Sequence, residues 1–367
     1  MPRFGLAGAF FTPQSLIADN QRLVNLYPEV IESGAGRSGA QLYLLGTPGL
    51  KTLWNVAHSP ARGMITIPRF ETNRERVFAV YGHTLHELLT DGSVRERGDV
   101  QDSSRRAYFA WNGNQLAVTS GERLYIVDLQ ADTLAGPILD TEGDVVSAGS
   151  VVQIDGYFLT HVPGTQQIRF SAINDGTVWD PLDVVEASAE PDRVTRLMAV
   201  HKELWALGDQ TLQPFIDTGD PDAPWQPVQS GVIQQGVASP DAAVSLDNGI
   251  LFLGRDPERG GPTAWRTQGY SVQQISSKAI DHVFSGYSPN AVEQAWGFAF
   301  VDDGHPVWHL NFIHPDVNRT WRYDASLPMP FAWYEVGDWN PATADFDAHL
   351  GIVHTFGFGK HIVGTRS

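Results

Sequence analysis

Residues 107–127 read Ala107-Tyr108-Phe109-Ala110-Trp111, Asn112-Gly113-Asn114, Gln115-Leu116-Ala117-Val118-Thr119, Ser120-Gly121-Glu122, Arg123-Leu124-Tyr125-Ile126-Val127. This is three short apolar runs separated by two tight turns. The runs are rich in aromatic and β-branched residues, which suit strands. Asn-Gly between two such runs is a strong hairpin signal, because both turn residues need φ > 0.

The same grammar recurs outward in both directions. Towards the N-terminus, residues 64–67 and 77–80 form an earlier copy. Towards the C-terminus, residues 150–154, Asp155-Gly156 and 157–160 form the next, closed by 168–170. Further copies are 197–200 with 204–207 and 213–216, then 243–246, Asp247-Asn248-Gly249 and 250–253. A longer one runs 296–300, Asp302-Asp303-Gly304-His305, 307–310 and 321–323. The copies lie roughly 43–53 residues apart, and a period in the forties with three or four strands per unit is the signature of propeller blades. A small twisted sheet cannot cover both its faces alone, so such units stack around an axis until the ring closes.

Tryptophans mark the register. Trp179-Asp180-Pro181, Trp225-Gln226-Pro227 and Trp333-Tyr334 each follow a third strand, and Trp321 lies in the strand before the last of these. Trp179, Trp225, Trp321 and Trp333 are therefore expected to pack between blades, their N–H groups near water. A proline beside two of them suits an edge strand. Residues 351–364 read as the first hairpin of one more blade. The expected fold is an all-β propeller of six or seven blades over 61–367, with an irregular segment, 1–60, whose residues 41–54 supply strands that complete the last blade and remove a free sheet edge. Residues 277–286 suit one short helix.

The chain has 367 residues, of which 42% are hydrophobic, enough for a real core. There is no cysteine, which excludes disulfides, cysteine-bound zinc and cysteine catalysis. The net charge of −17 argues against wrapping nucleic acid. Arg105-Arg106 and Arg74 with Arg76 are too sparse for a nucleic-acid face and read as solvated surface charge. The short, Gly-containing apolar start at 4–11 is a poor signal peptide, and no window is apolar enough to span a bilayer.

Residues 34–39, Gly34-Ala35-Gly36-Arg37-Ser38-Gly39, match G-x-G-x-x-G, but no strand–helix context surrounds them, so they read as a flexible loop. His305, His309 and His314 flank a strand rather than share a helical face, which favours structural histidines over a metal site. The acidic loops 217–222 and 343–347 lack a calcium-loop pattern. No carboxylate pair stands out for glycoside cleavage, and no G-x-S-x-G elbow is present. Asn318-Arg319-Thr320 is a sequon of the kind chance supplies. No catalytic, cofactor-binding or metal-binding residue is assigned. A carbohydrate-binding or carbohydrate-cleaving propeller, with a deep central pocket lined by Trp and carboxylates, is the main alternative to a structural role, and a generic scaffold is a second.

Three sets of residues carry a family resemblance. They are Asn25-Leu26-Tyr27-Pro28-Glu29 followed by Gly46-Thr47-Pro48-Gly49-Leu50; Trp179-Asp180-Pro181-Leu182 through His201-Lys202-Glu203-Leu204-Trp205 to Thr218-Gly219; and Gly304-His305 through Thr320-Trp321-Arg322-Tyr323-Asp324 to Trp333-Tyr334-Glu335. Together they resemble the packaged-DNA stabilisation proteins, the tail hub or nozzle of short-tailed bacteriophages. The resemblance implies a virion protein assembled in the host cytoplasm. It also implies a hexameric ring of propellers below the portal and adaptor proteins, which continues the DNA channel and meets the tail needle or fibres. DNA would pass without sequence-specific binding, held off by a negative wall. No catalytic residue is implied. Tyr27, Gly34 and Arg37, in the irregular N-terminal segment, are candidate contacts to neighbouring subunits.

Overall fold

The computed structural model describes residues 22–30, 42–56, 59–69, 74–220, 223–255, 260–329 and 331–366. After a hairpin of β1 (Leu26–Val30) and β2 (Leu42–Gly46), six antiparallel sheets follow in chain order. Blade 1 is β3 (Ala61–Ile67), β4 (Arg76–Tyr81), β5 (Thr84–Leu88) and β6 (Val94–Asp99). Blade 2 is β7 (Tyr108–Trp111), β8 (Gln115–Ser120), β9 (Arg123–Asp128) and β10 (Thr133–Ala135). Blade 3 is β11 (Val151–Ile154), β12 (Tyr157–His161), β13 (Gln167–Ala172) and β14 (Asp175–Glu186). Blade 4 is β15 (Val194–Val200), β16 (Glu203–Gly208), β17 (Leu212–Asp217) and β18 (Trp225–Pro227). Blade 5 is β19 (Val244–Leu246), β20 (Gly249–Arg255), β21 (Pro262–Gln268) and β22 (Ser271–Gln274). Blade 6 has five strands, β23 (Trp296–Asp302), β24 (His305–His314), β25 (Val317–Asp324), β26 (Trp333–Asn340) and β27 (Asp345–Ala348). Each blade is a meander whose first strand lies nearest the axis.

The turns follow local chemistry. Asp155 and Gly156 both take positive φ (49° and 93°), as do Asp303 and Gly304, matching the mirror-image turns that tight hairpins favour. Asn112 differs. Only Gly113 is left-handed there, and the Asn112 side chain instead accepts bonds from the amides of Asn114 and Gln115, an Asx turn in a longer loop. Between blades 5 and 6, α1 (Lys278–Ser285) starts on the Ser277 hydroxyl, which accepts from the Ile280 amide, and ends at Gly286. A second short helix, α2 (Pro289–Glu293), follows; its five residues carry too little periodicity to read from sequence.

The core lies between blades. Trp179 is fully buried in a cluster joining Ala117, Leu124 and Ile126 of blade 2 to Val151 and Phe158 of blade 3. Trp225 meets Tyr157 edge-on at 6.1 Å, joining blades 3 and 4. Trp321 and Trp333 sit with Phe284 of α1 in the cluster between blades 5 and 6. Their indole N–H groups do not face water. Trp179 donates to the Gly176 carbonyl at 2.8 Å, Trp333 to Ile275 at 2.7 Å and Trp321 to the Tyr287 hydroxyl at 3.1 Å. At this depth a hydrogen bond left unmade costs more than the bond gains, so protein groups take the place of solvent for these three, whereas the buried Trp225 Nε1 has no hydrogen-bond partner among the described residues.

Ring closure departs from the sequence expectation in its details. The hairpin of β28 (Gly351–Gly357) and β29 (Lys360–Thr365) is a two-stranded wedge between blade 6 and blade 1. The N-terminal strands do not extend it; β2 pairs with β1. Residues 22–25 attach to the outer part of blade 6 instead. Val24 forms a parallel bridge to Glu335, and the Asn25 side chain exchanges bonds with the Gly337 N–H and C=O. Arg22 pairs with Glu335 (2.8 Å) and Asp345 (2.7 Å). Trp54 and Val56 reach the wedge, Trp54 packing on Phe358 and donating to the Leu89 carbonyl. The first half of β26, residues 333–336, is not paired by β27 and carries the buried Glu335 carboxylate, and that draws the N-terminal segment there.

The wedge is held by stacked rings. Phe298 stacks on His309 (4.3 Å) and on His354 (5.7 Å), His354 stacks on Phe300 (4.9 Å), and His354 Nε2 lies 3.0 Å from His361 Nδ1. His309 is fully buried, and its Nδ1 accepts from Arg322 Nε at 3.1 Å.

Candidate functional site

A propeller's natural site is its axial channel, so the residues at the starts of the inner strands matter most. Arg106 precedes β7 of blade 2, yet its Nη1 donates to the carbonyls of Asp241 and Gly297, both at 2.7 Å. Those carbonyls belong to blades 5 and 6, which do not adjoin blade 2, so Arg106 crosses the axis. Arg196, on β15, donates from Nη1 to the Pro240 and Ala243 carbonyls, both at 2.6 Å. The Tyr108 hydroxyl makes a short hydrogen bond to the Asp241 carboxylate. Arg196 lies over the Tyr108 ring at 4.8 Å and Arg106 over the Trp296 ring at 5.4 Å. Burial, then the charge of Asp241, raises the Tyr108 pKa, so its hydroxyl stays a donor.

These side chains bridge the channel. On one side lies a mouth of about 930 Å³, lined by polar residues that include Asp102, Arg105, Arg123, Arg193, Asp209 and Glu293. On the other lies a narrower space of about 590 Å³, lined by Ile65, Trp111, Gln153 and Met198 among others. Among the described residues no tryptophan lines the mouth, unlike the pocket a sugar-binding propeller would need.

Two readings of surface charge are corrected here. Arg106 is not a free surface charge; half-buried, it spans the channel, bonded to carbonyl oxygens and lying over an indole ring. Arg76 is 2% exposed and forks onto Glu87 (2.8 and 2.9 Å), with Asp132 and the Leu129 carbonyl as further partners and the Phe78 ring beneath it. Arg97 shares Glu87. A buried charge is tolerable when paired and fully hydrogen-bonded. Glu87 and Arg97 sit on the next two strands of the same blade, but Leu129 and Asp132 lie more than fifty residues on, so composition could not announce the whole cluster.

His161, at the mouth, accepts or donates at Nδ1 with Ser150 Oγ at 3.0 Å, and burial lowers its pKa to about 4. Ser150 is itself buried and takes the Leu197 amide, and among the described residues no carboxylate orients the ring, so this pair braces blades 3 and 4. Of the other candidates, His305 bonds Asp324 at 2.7 Å and His314 pairs with Asp316. Asp345 is occupied by Arg22 and Arg319. Among the described residues no three potential metal ligands gather, and no helix is long and apolar enough to cross a membrane.

Tyr27 packs within its own chain, edge-on to His305 at 5.1 Å and against Tyr334 at 6.2 Å, which leaves only part of its ring to a neighbour. Gly34, Arg37 and the glycine-rich loop at 34–39 lie outside the described residues.

Solved structures resemble the chain at low identity. The chain matches PorZ, a surface component of the type-IX secretion system of Porphyromonas gingivalis, at 12% identity and a TM-score of 0.42, over 82% of this chain and 34% of that one. It matches the dihydro-heme d1 dehydrogenase NirN at 13% and 0.44, over 75% of this chain and 54% of that one. It matches the N-terminal domain of Nup159 at 9% and 0.45, over 83% and 86%. At these scores the likeness carries no functional argument. No curated protein matches the chain. The family model described as "Bacteriophage P22 Gp10, beta-propeller" matches residues 19–366, nearly the whole chain, over the blades and the N-terminal attachment described above, and the chain therefore belongs to this phage-stabilisation family of virion structural proteins.

Proposed function

We propose that the chain is the tail hub, or nozzle, subunit of a short-tailed phage. Copies assemble in the host cytoplasm as a ring, a hexamer, below the portal and adaptor proteins. The lumen of the ring continues the DNA channel, and its far side meets the tail needle or fibres. Such a ring uses heterologous contacts, one surface of each copy meeting a different surface of the next.

The observation that carries this reading is the bridged propeller channel. A duplex cannot thread past this cluster without breaking the cross-axis bonds of Arg106 and Tyr108 and displacing Arg196 beside them. A propeller built this way handles DNA as a wall element, with the lumen formed between copies. The net charge of −17 supports the same role. A like-charged wall repels phosphates and lets the genome slide during ejection, whereas gripping DNA needs arrays of Lys and Arg.

Light scattering on the purified chain, alone and with a portal–adaptor assembly, tests the proposal. A hexamer of 40.3 kDa subunits adds about 240 kDa to that assembly or forms by itself. A chain that stays monomeric in both samples overturns it.

A further inference from the structure

The outer edge of blade 3 differs from those of the other blades. β14 is twelve residues long and ends its sheet. Its register with β13 breaks: Val184 pairs with Arg169 and Trp179 with Ser171, so residues 180–183 stand opposite Phe170 alone. A bulge of this kind re-aims side chains. Here it turns Leu182 outward to 86% exposure, and the turn is pre-formed, because Pro181 restricts the backbone and Asp180 Oδ1 accepts the Leu182 amide at 2.9 Å. Exposure alternates strictly from Asp180 to Glu186, so Asp180, Leu182, Val184 and Glu186 share one outward face. Edge strands are normally protected by charge or shortness. The outward face of this one has acid only at its two ends, Asp180 and Glu186, and apolar Leu182 and Val184 between them.

The charge around this face is one-sided. The nearby cation, Arg169, is committed to Asp140 at 3.1 Å. Burial and the adjacent Asp180 push the Asp183 pKa up, partly offset by Arg169, so the carboxylates are crowded. An isologous contact with a second copy would set these acids against each other. We propose that the free edge of β14 is a docking site for an extended segment of a different protein, one that adds as a strand and presents basic–apolar–apolar–basic residues at alternate positions opposite Asp180, Leu182, Val184 and Glu186. Main-chain pairing along the regular stretch 184–186 supplies affinity, since Pro181 has no N–H and the Leu182 amide is held by Asp180, and the side chains at 180, 182, 184 and 186 supply specificity. The inference is independent of ring formation.

The probe is a fluorescently labelled synthetic peptide with the core Lys-Thr-Val-Thr-Val-Thr-Lys, titrated with the full chain by anisotropy at physiological ionic strength. Replacing both peptide valines by serine is expected to weaken binding about tenfold. The double substitution L182S/V184S in the protein is expected to do the same, and D180N/E186Q to abolish the preference for Lys over Glu in the peptide. Both apolar side chains are exposed, so the variants keep the fold, which circular dichroism verifies. The proposal is overturned if the Val and Ser peptides bind alike, if the L182S/V184S protein binds like the parent, or if no peptide binds at millimolar concentration. It is equally overturned if sedimentation shows self-association that L182S/V184S removes, since a second copy would then cover this face.

Discussion

Lowering the pH from 7.5 to 5.5 is expected to loosen the C-terminal hairpin through the histidines that stack it against blade 6. Burial, then the charge of His361, pushes the His354 pKa down to about 3. Burial and Arg322 hold His309 well below the usual histidine value, and its Nδ1 already accepts from Arg322, so a proton there would displace that bond and set two cations together. His349 is lowered by burial and Arg322, partly offset by Asp338. A histidine that titrates near 6.5 when unfolded, and far lower when folded, costs nothing above 6.5. Below that, protonation favours the unfolded chain by about 1.4 kcal/mol per pH unit until the folded value is reached. From 7.5 to 5.5 this amounts to about 1.4 kcal/mol per histidine, or about 3 kcal/mol for His309 and His354 together. That is a large part of a typical domain's stability of about 5–15 kcal/mol. Urea unfolding at the two pH values measures the total, and hydrogen exchange over 350–366, corrected for intrinsic rates, localises it. His354→Phe keeps the stacking on Phe298 and Phe300 but removes the titration, so its pH-dependent loss should be smaller by about 1.4 kcal/mol. Equal losses in the parent and H354F, or hairpin amides whose protection does not change with pH, would refute the reasoning.

Three further outcomes follow from the packing. Trp179→Ala removes the largest side chain between blades 2 and 3 and strands the Gly176 carbonyl, so chemical denaturation should show a loss of about 3–5 kcal/mol. Glu87→Gln leaves the Arg76 and Arg97 guanidinium groups without their shared carboxylate in a buried setting; the melting temperature should fall by an amount corresponding to about 3–5 kcal/mol, more than for Glu142→Gln on the exposed 140–144 turn. A Cβ on Gly236 would collide with the Asp209 carbonyl oxygen, a backbone atom that cannot step aside, so Gly236→Ala should lower the yield of soluble protein, whereas Gly219→Ala, with open space around it, should change yield far less despite its left-handed backbone.

Much of this molecule is legible in the chain because the relevant physics is local. Strand alternation and two-residue turns such as Asp155-Gly156 depend on neighbours a few positions away, and so does the Ser277 cap of α1. The interval between copies then counts the blades. The tryptophans after the third strands are visible for the same reason: only a gap between sheets holds a side chain that large.

The larger expectations that changed involve partners distant in sequence. Arg106 and Arg76 read as surface charge because nothing beside them in the chain suggests otherwise. Arg106 finds its carbonyls 135 and 191 positions away, and Arg76 reaches Asp132 56 positions on. The N-terminal segment chooses blade 6 over the terminal hairpin because Arg22 finds Glu335 and Asp345 there. By itself the sequence determined the repeated unit, since strand period and turn chemistry act within a few residues. Tertiary structure alone decided which charges are buried, where the channel is bridged and how the ring shuts, since burying a charge or an edge is stable only beside a partner that folding brings in from elsewhere in the chain.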